Sequence, residues 1–227
     1  MPIYRLSDKP VFPPPELAEE HGLLAIGGDL SPERLLAAYS SGIFPWFSEG
    51  EPILWWAPSP RLVIFPEEFR TPRRLARLMR QERFTVTFDT AFARVIEACA
   101  DESGRKEKGT WLTGDMIKAY CALHDMGFAH SVECWQGDKL AGGLYGVSLG
   151  AVFFGESMFS RETDSSKAAL VALAKQLLLW EFDLIDCQMK TGHLLQFGAR
   201  EIPGTRFQEL LAQSMNRPTR RGRWQQG

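Results

Sequence analysis

The hydrophobic pattern changes period along the chain. From Ala129 onward it is two: Ala129 to Trp135 and Leu140 to Val147 flank a Gly137-Asp138 turn, and the apolar run Ala151 to Phe154 follows a second turn at Ser148 to Gly150. Such runs joined by tight polar turns predict an antiparallel meander. A helical period returns from Ser166 to Trp180, and the short apolar run Leu184 to Gln188 predicts a strand beyond this crossover. Upstream, Ser31-Pro32 and Gly42 bracket a helix over Glu33 to Ser41, because a hydroxyl caps the first turn, proline suits its first position and glycine stops it. Leu62 to Phe65 and Phe84 to Phe88 predict strands, and Thr90 to Cys99 and Thr113 to Met126 predict helices, the second closed by Gly127. Thr191 to Phe197, closed by Gly198, and Thr205 to Ser214 predict two more helices.

Proline and aromatic density divide this pattern into parts. Residues 1 to 22, with Pro10 and Pro13-Pro14-Pro15, should run extended over a neighbour without a core of their own. Ile43 to Pro60 packs Phe44, Trp46, Phe47, Trp55 and Trp56 among four prolines, which is too aromatic for a solvated linker and reads as a small core. Proline density falls near Arg61. The expected organisation is a small N-terminal domain over 1–60 and a mixed α/β (α+β) domain over 61–215. A tail over 216–227, basic through Arg217, Arg220, Arg221 and Arg223, is expected to be disordered.

One helix carries a charge pattern. Thr71 caps it and Pro72 begins it, with Arg73, Arg74, Arg77 and Arg80 on one side and Leu75, Leu78 and Met79 on the other. Four arginines with no acid between them repel one another unless a polyanion is near, so a basic solvated face competes with an RNA-phosphate surface. The charged, apolar-free stretch Asp101 to Lys108 is a surface loop. The whole chain has a formal net charge of -2, so any nucleic-acid partner needs a local patch of this kind.

Composition narrows the classes. With 227 residues, 44% hydrophobic and 24% charged, the chain is an ordinary globular protein with room for a large core. No apolar run reaches the ~20 residues of a membrane span, and Met1 to Lys9 lacks the centre of a secretory signal, so a cytoplasmic location is expected. Cys99, Cys121, Cys134 and Cys187 form no CxxC pair, and His21, His124, His130 and His193 show no ligand spacing, so neither a metal nor a disulfide framework is expected.

The most informative stretch is Gly155-Glu156-Ser157-Met158-Phe159-Ser160-Arg161, read as the junction between the run ending at Phe154 and the long helix. A carboxylate next to an apolar run that ends in two phenylalanines needs a partner, either Arg161 in a buried ion pair or a ligand. Asp186 and Gln188 flank Cys187 on a strand, so alternation places both on one face, where a carboxylate can orient an amine and an amide can donate to a carbonyl. A purely structural Asp186, capping the next loop, is the competing reading.

Together with Gly27-Gly28-Asp29-Leu30-Ser31, Gly42 to Phe47, Leu54-Trp55-Trp56, Gly109-Thr110-Trp111 and Leu184 to Gln188, that junction closely resembles the bacterial leucyl/phenylalanyl-tRNA–protein transferases, in family order from about Leu23 to Leu211. The resemblance implies a GNAT-like acyltransferase domain. It also implies transfer of Leu, Phe or Met from aminoacyl-tRNA to the N-terminal Arg or Lys of acceptor proteins, marking them for degradation by the N-end rule, with no cofactor. By resemblance Asp186 and Gln188 are the catalytic pair and Glu156 meets the acceptor. Leu144, Phe153, Met158, Leu170, Leu173 and Ile185 line the aminoacyl pocket, and Tyr39, Trp46, Trp111 and Tyr120 hold the 3′-terminal adenosine, with the arginine helix on the tRNA. A coenzyme A-dependent N-acyltransferase of the GNAT type is the alternative, disfavoured because Ser160 to Ser166 lacks the glycines of a pyrophosphate turn. A non-catalytic tRNA-binding module and a cell-wall aminoacyltransferase are the further readings.

Overall fold

The computed structural model describes residues 3–101 and 112–225, so Trp111 and the charged stretch after Asp101 lie outside the described residues. In chain order the N-terminal part forms β1 (Tyr4–Arg5), β2 (Leu23–Ile26), α1 (Pro32–Ser40), β3 (Phe44–Pro45) and β4 (Leu54–Trp56). There follow β5 (Arg61–Ile64), α2 (Arg73–Arg80), β6 (Thr85–Phe88), α3 (Phe92–Asp101), α4 (Gly114–Asp125), β7 (Ala129–Gln136) and β8 (Lys139–Leu149). The chain closes with β9 (Val152–Ser160), α5 (Ser165–Leu179), β10 (Leu184–Gln188), β11 (Arg200–Ile202) and α6 (Gly204–Met215). Among the described residues the architecture is mixed α/β, with a four-stranded sheet ordered β1-β2-β4-β3 and a seven-stranded sheet ordered β11-β5-β10-β9-β8-β7-β6.

The meander forms as its alternation predicts, β7 with β8 and β8 with β9, both antiparallel. After β9 the crossover through α5 returns the chain to lie parallel beside it as β10. Alternation along β8 and β9 sends Val147, Val152 and Phe154 into the core shared with α1, α3, α4 and the N-terminal aromatics. Leu144 and Phe153 point to the other face, under α5.

Several elements differ from the sequence expectations. The stretch Gly155 to Ser160 is not a loop: β9 runs on through it, because β8 is long enough to pair with it as far as Gly142 opposite Ser160. Helix α2 starts one residue late, with Pro72 rather than Thr71 at its cap and no side-chain capping bond. Thr191 to Phe197 makes only a 3-10 turn at Leu195–Phe197; its two buried side chains, Leu194 and Phe197, are three residues apart, and one turn is enough to bury both. β11 escapes a period-based reading because Ile202 is its one buried residue. The tail is held against the molecule as far as Trp224, which is only 2% exposed, although its arginines suggested otherwise. A single tryptophan supplies the anchor that charge counting ignores.

A deeply buried charge pair joins the two sheets' surroundings. Arg61 on β5 and Asp186 on β10 are 1% and 0% exposed, and their bonds, Nε to Oδ1 at 2.8 Å and a terminal nitrogen to Oδ2 at 2.7 Å, form a two-pronged ion pair. The Arg61 guanidinium lies 4.9 Å from the Phe44 ring centre and 4.7 Å from that of Phe207, so the pair ties β5 and β10 to the N-terminal aromatics and to α6. Removing one partner strands a buried charge. Arg61→Met should lower unfolding free energy in urea by ~3–5 kcal/mol, and adding Asp186→Leu to it should restore most of the loss. A double variant as unstable as the single one would show that the pair's charges are not what holds this junction.

Candidate active site

A cavity of about 690 Å³ opens where β9 and β10 part company. The two strands pair only from Leu184–Val152 to Asp186–Phe154, after which Gly155 faces open space: a Cβ there would meet nothing closer than the Asp186 carbonyl oxygen at 3.6 Å. The opening passes between the sheet's two faces. Its lining includes Leu144, Phe153, Met158, Leu170, Leu173 and Ile185, the six residues assigned to the pocket by resemblance, together with Phe44, Trp46 and Tyr145. A slot lined this way is dry and fits an aliphatic or aromatic side chain.

Two β-bulges bring the polar groups to its mouth. On β9 the register slips between Tyr145–Ser157 and Gly146–Gly155, so Glu156 is the extra residue. On β10 it slips between Asp186–Val63 and Gln188–Leu62, so Cys187 is the extra residue, and Gln188 takes φ +61. Bulges re-aim side chains, and here they aim these two at each other: Gln188 Nε2 donates to Glu156 Oε1 at 2.9 Å. The same bulge separates Asp186 from Gln188, contrary to the expectation from alternation. Asp186 faces Arg61, and its Oδ1 accepts the Gln188 backbone N–H at 2.9 Å, whereas Ile185, Cys187 and Gln188 line the cavity. Asp186 therefore reaches the cavity only through Gln188.

Glu156 has a second donor. The Tyr120 hydroxyl donates to Oε2 at 2.9 Å and lies 2.5 Å from the Tyr39 hydroxyl. Since the Tyr120 proton is spent on the carboxylate, Tyr39 is the donor in the hydroxyl pair. Arg161 is not the partner of Glu156; its guanidinium lies 5.5 Å from the Phe159 ring centre, outside the residues that line the cavity. Tyr39 and Tyr120 are fully buried, so they offer Glu156 their hydroxyls but have no ring face left for a base. Trp46 is 39% exposed at the cavity and tilted against Trp56, and keeps a ring face free. The arginines of α2 are exposed, with Leu75 buried beneath them, and lie outside the cavity wall; Arg74 alone has an acidic neighbour, Asp164 at 3.8 Å.

Arg61 and Tyr145 belong to the site and went unread in the sequence. Arg61 could have been found: an aspartate inside an apolar strand requires a buried cation, and Arg61 opens the neighbouring strand. Tyr145, whose buried hydroxyl has no hydrogen-bond partner, gave no signal within the apolar meander. No three His, Cys, Asp or Glu residues among those described are placed to hold a metal ion.

An apolar cavity with a carboxylate and an amide among its lining residues has the make-up of a site that can hold an acyl group by its side chain. Residues 63–212 match the family described as leucyl/phenylalanyl-tRNA protein transferase, and residues 28–59 match its N-terminal domain. The chain is 56% identical over 227 residues to the leucyl/phenylalanyl-tRNA–protein transferase of an Anaeromyxobacter species, covering 100% of this chain and 97% of that one. It is 57% identical over 224 residues to that of Desulfatibacillum aliphaticivorans, covering 99% and 96%. Among solved structures it is similar to L-PGS from Bacillus licheniformis, with a TM-score of 0.42 and 12% identity over 74% of this chain and 54% of that one. The chain belongs to the leucyl/phenylalanyl-tRNA–protein transferase family, aminoacyltransferases that use an aminoacyl-tRNA and a protein acceptor. No helix among the described residues is long and apolar enough to cross a membrane.

Burial pushes the Glu156 carboxyl up to about 7, against the pull of the tyrosine hydroxyls and the Gln188 amide. Burial likewise raises Tyr39 and Tyr120 well above the ordinary phenol value, so both stay neutral donors. Between its unfolded value and about 7 the folded Glu156 binds more protons than the unfolded one, and its contribution to stability is lost as pH rises through that window. Glu156→Gln cannot ionise. Its melting temperature should therefore gain on that of the unaltered protein between about pH 5 and about pH 8. A gap independent of pH would mean that Glu156 titrates elsewhere.

Proposed function

We propose that this protein moves leucine, phenylalanine or methionine from aminoacyl-tRNA to the N-terminal arginine or lysine of acceptor proteins, in the cytoplasm, as the marking step of N-end rule degradation. The observation that carries the reading is the cavity itself, lined largely by apolar side chains and carrying the hydrogen-bonded Glu156–Gln188 pair. One methylene is worth only about 1–3 kcal/mol in such a slot, and Met158 adapts its shape, so Leu, Phe and Met can share it. The sequence of helix, meander, long helix and parallel strand supports a GNAT-like core, and the ester of the donor is activated enough to need no cofactor.

The chemistry is aminolysis. The acceptor's α-amine attacks the ester carbonyl, the bond to the ribose oxygen breaks, and the proton lost by nitrogen ends on that oxygen. Glu156 meets the acceptor and takes this proton; an α-amino group near 7.7–8.0 and a carboxyl near 7 are closely matched, so the transfer is almost level in energy. Gln188 has a second amide N–H for the carbonyl oxygen as charge builds there. Asp186 holds Gln188 in place, a positioning role in place of the direct contact with the amine that alternation suggested. Trp46 offers a ring for the terminal adenine, and Arg73, Arg74, Arg77 and Arg80 face the phosphates. The coenzyme A alternative is disfavoured at the turn before α5: Glu162 and Asp164 put two carboxylates where a pyrophosphate would sit, paired with Arg83 at 3.1 Å and Lys167 at 2.7 Å.

The test combines the purified protein with radiolabelled Leu-, Phe- and Met-tRNA and peptides that differ only in the first residue. Label should appear on peptides that begin with Arg or Lys and not on those that begin with Gly. In the same assay, replacing Arg73, Arg77 and Arg80 by alanine should weaken tRNA binding and flatten its log–log salt dependence by roughly two to three. Acylation of the peptides from acetyl-CoA, with none from tRNA, would reverse the assignment.

A further inference from the structure

Beyond α6 the chain does not leave the molecule but straps across it. Arg217 donates to Asp183 Oδ1 at 2.8 Å, the Gly150 N–H donates to Thr219 Oγ1 at 2.8 Å, and the Gly222 N–H donates to the Gly127 carbonyl at 3.3 Å. Gly127 is needed for this approach twice over. It has φ +78, and a side chain there would run into the backbone of Gly222. The strap ends in Trp224, whose backbone N–H donates to Asp89 Oδ2 at 2.7 Å and whose ring stacks on His130 at 3.8 Å between centres, 7° from parallel. Asp89 also accepts from His130 at 2.8 Å and from the Ser131 N–H at 2.8 Å, so the anchor point is itself held by β7.

What Trp224 touches next is the aminoacyl slot. Its ring lies 5.9 Å from that of Phe153, 4.9 Å from Trp180 and 6.0 Å from Phe182, and Phe153 is part of the cavity wall. Phe153 is confined elsewhere too: Gly146 lies so close that a Cβ on it would come within 2.6 Å of the ring tip. Trp224 belongs to the same buried cluster as Leu144, Leu170, Leu173 and Ile185. The tail that carries it lies outside residues 63–212, the stretch matched by the family.

We propose that the C-terminal strap is a specificity element of the slot: Trp224 backs Phe153 and fixes how deep the slot is, and hence how large a donor side chain it admits. This rests on the aminoacyl-transfer reading of the cavity. A packed interior transmits a change of volume to its neighbours, so a smaller residue at 224 lets the Phe153 ring retreat and the slot deepen. Trp224 touches neither substrate nor reacting atoms and acts as a positioning residue.

The experiment measures kcat/KM for Phe-tRNA and Leu-tRNA in the full-length protein, in Trp224→Phe and in Trp224→Leu, with melting temperatures alongside. The ratio for Phe over Leu should rise by about tenfold, on the scale of one or two methylenes in an apolar pocket, and rise further in Trp224→Leu than in the gentler Trp224→Phe. Equal losses for both donors, tracking the melting temperature with the ratio unchanged, would make the strap purely structural and overturn the inference. Failure of the unaltered protein to transfer from either tRNA would instead overturn the transferase reading, and this inference with it.

Discussion

A guanidinium and a carboxylate enclosed in an aromatic interior set most of the other positions. Arg61 and Asp186 could not be buried singly, and even paired their desolvation is offset only by the two-pronged geometry and the flanking rings of Phe44 and Phe207. Because Asp186 must face Arg61, the next outward group, Gln188, can reach the cavity only if β10 bulges. The bulge is stabilised by the same carboxylate, through the Gln188 N–H, against a left-handed backbone that costs ~1–2 kcal/mol for a residue with a side chain. One ion pair thus joins the N-terminal aromatics, α6 and the central sheet, and it also decides which residue looks into the slot.

At the slot's mouth the chemistry follows from a carboxyl group whose surroundings disfavour its charge. One amide and the Tyr120 hydroxyl donate to Glu156, with Tyr39 behind Tyr120, yet burial still outweighs them and lifts the carboxyl to about 7. A carboxylate in ordinary solvent would be too weak a base for an ammonium, and one without donors would be held neutral and inert. Both functional positions sit on bulges at the line where β9 and β10 separate, so two neighbouring departures from regular pairing bring the carboxylate and the amide to the cavity.

Much of this was legible in the residues, and what was not has identifiable physical causes. The strands of the meander, the crossover helix and its return strand announce themselves by period. The six residues assigned to the aminoacyl pocket were reached by resemblance, and all six are among the residues that line the cavity. Alternation misled at Asp186 and Gln188, because a bulge is an insertion in pairing and leaves no mark on period. Tyr39 and Tyr120 were assigned to the terminal adenosine, but a tyrosine in sequence does not declare whether its ring or its hydroxyl will be the part in use. The tail was judged by its four arginines, three of which lie over rings or on acidic partners, while Trp224 is buried at its end.

The most direct test concerns which carboxylate governs proton movement. Single-turnover transfer from Phe-tRNA, followed against pH, should show an inflection at about 7 in the unaltered protein. Asp186→Asn should lower the rate but keep that inflection, and Glu156→Gln should abolish it. An inflection lost in Asp186→Asn and kept in Glu156→Gln would contradict the account, returning the reacting amine to Asp186 and leaving Glu156 as a part of the scaffold.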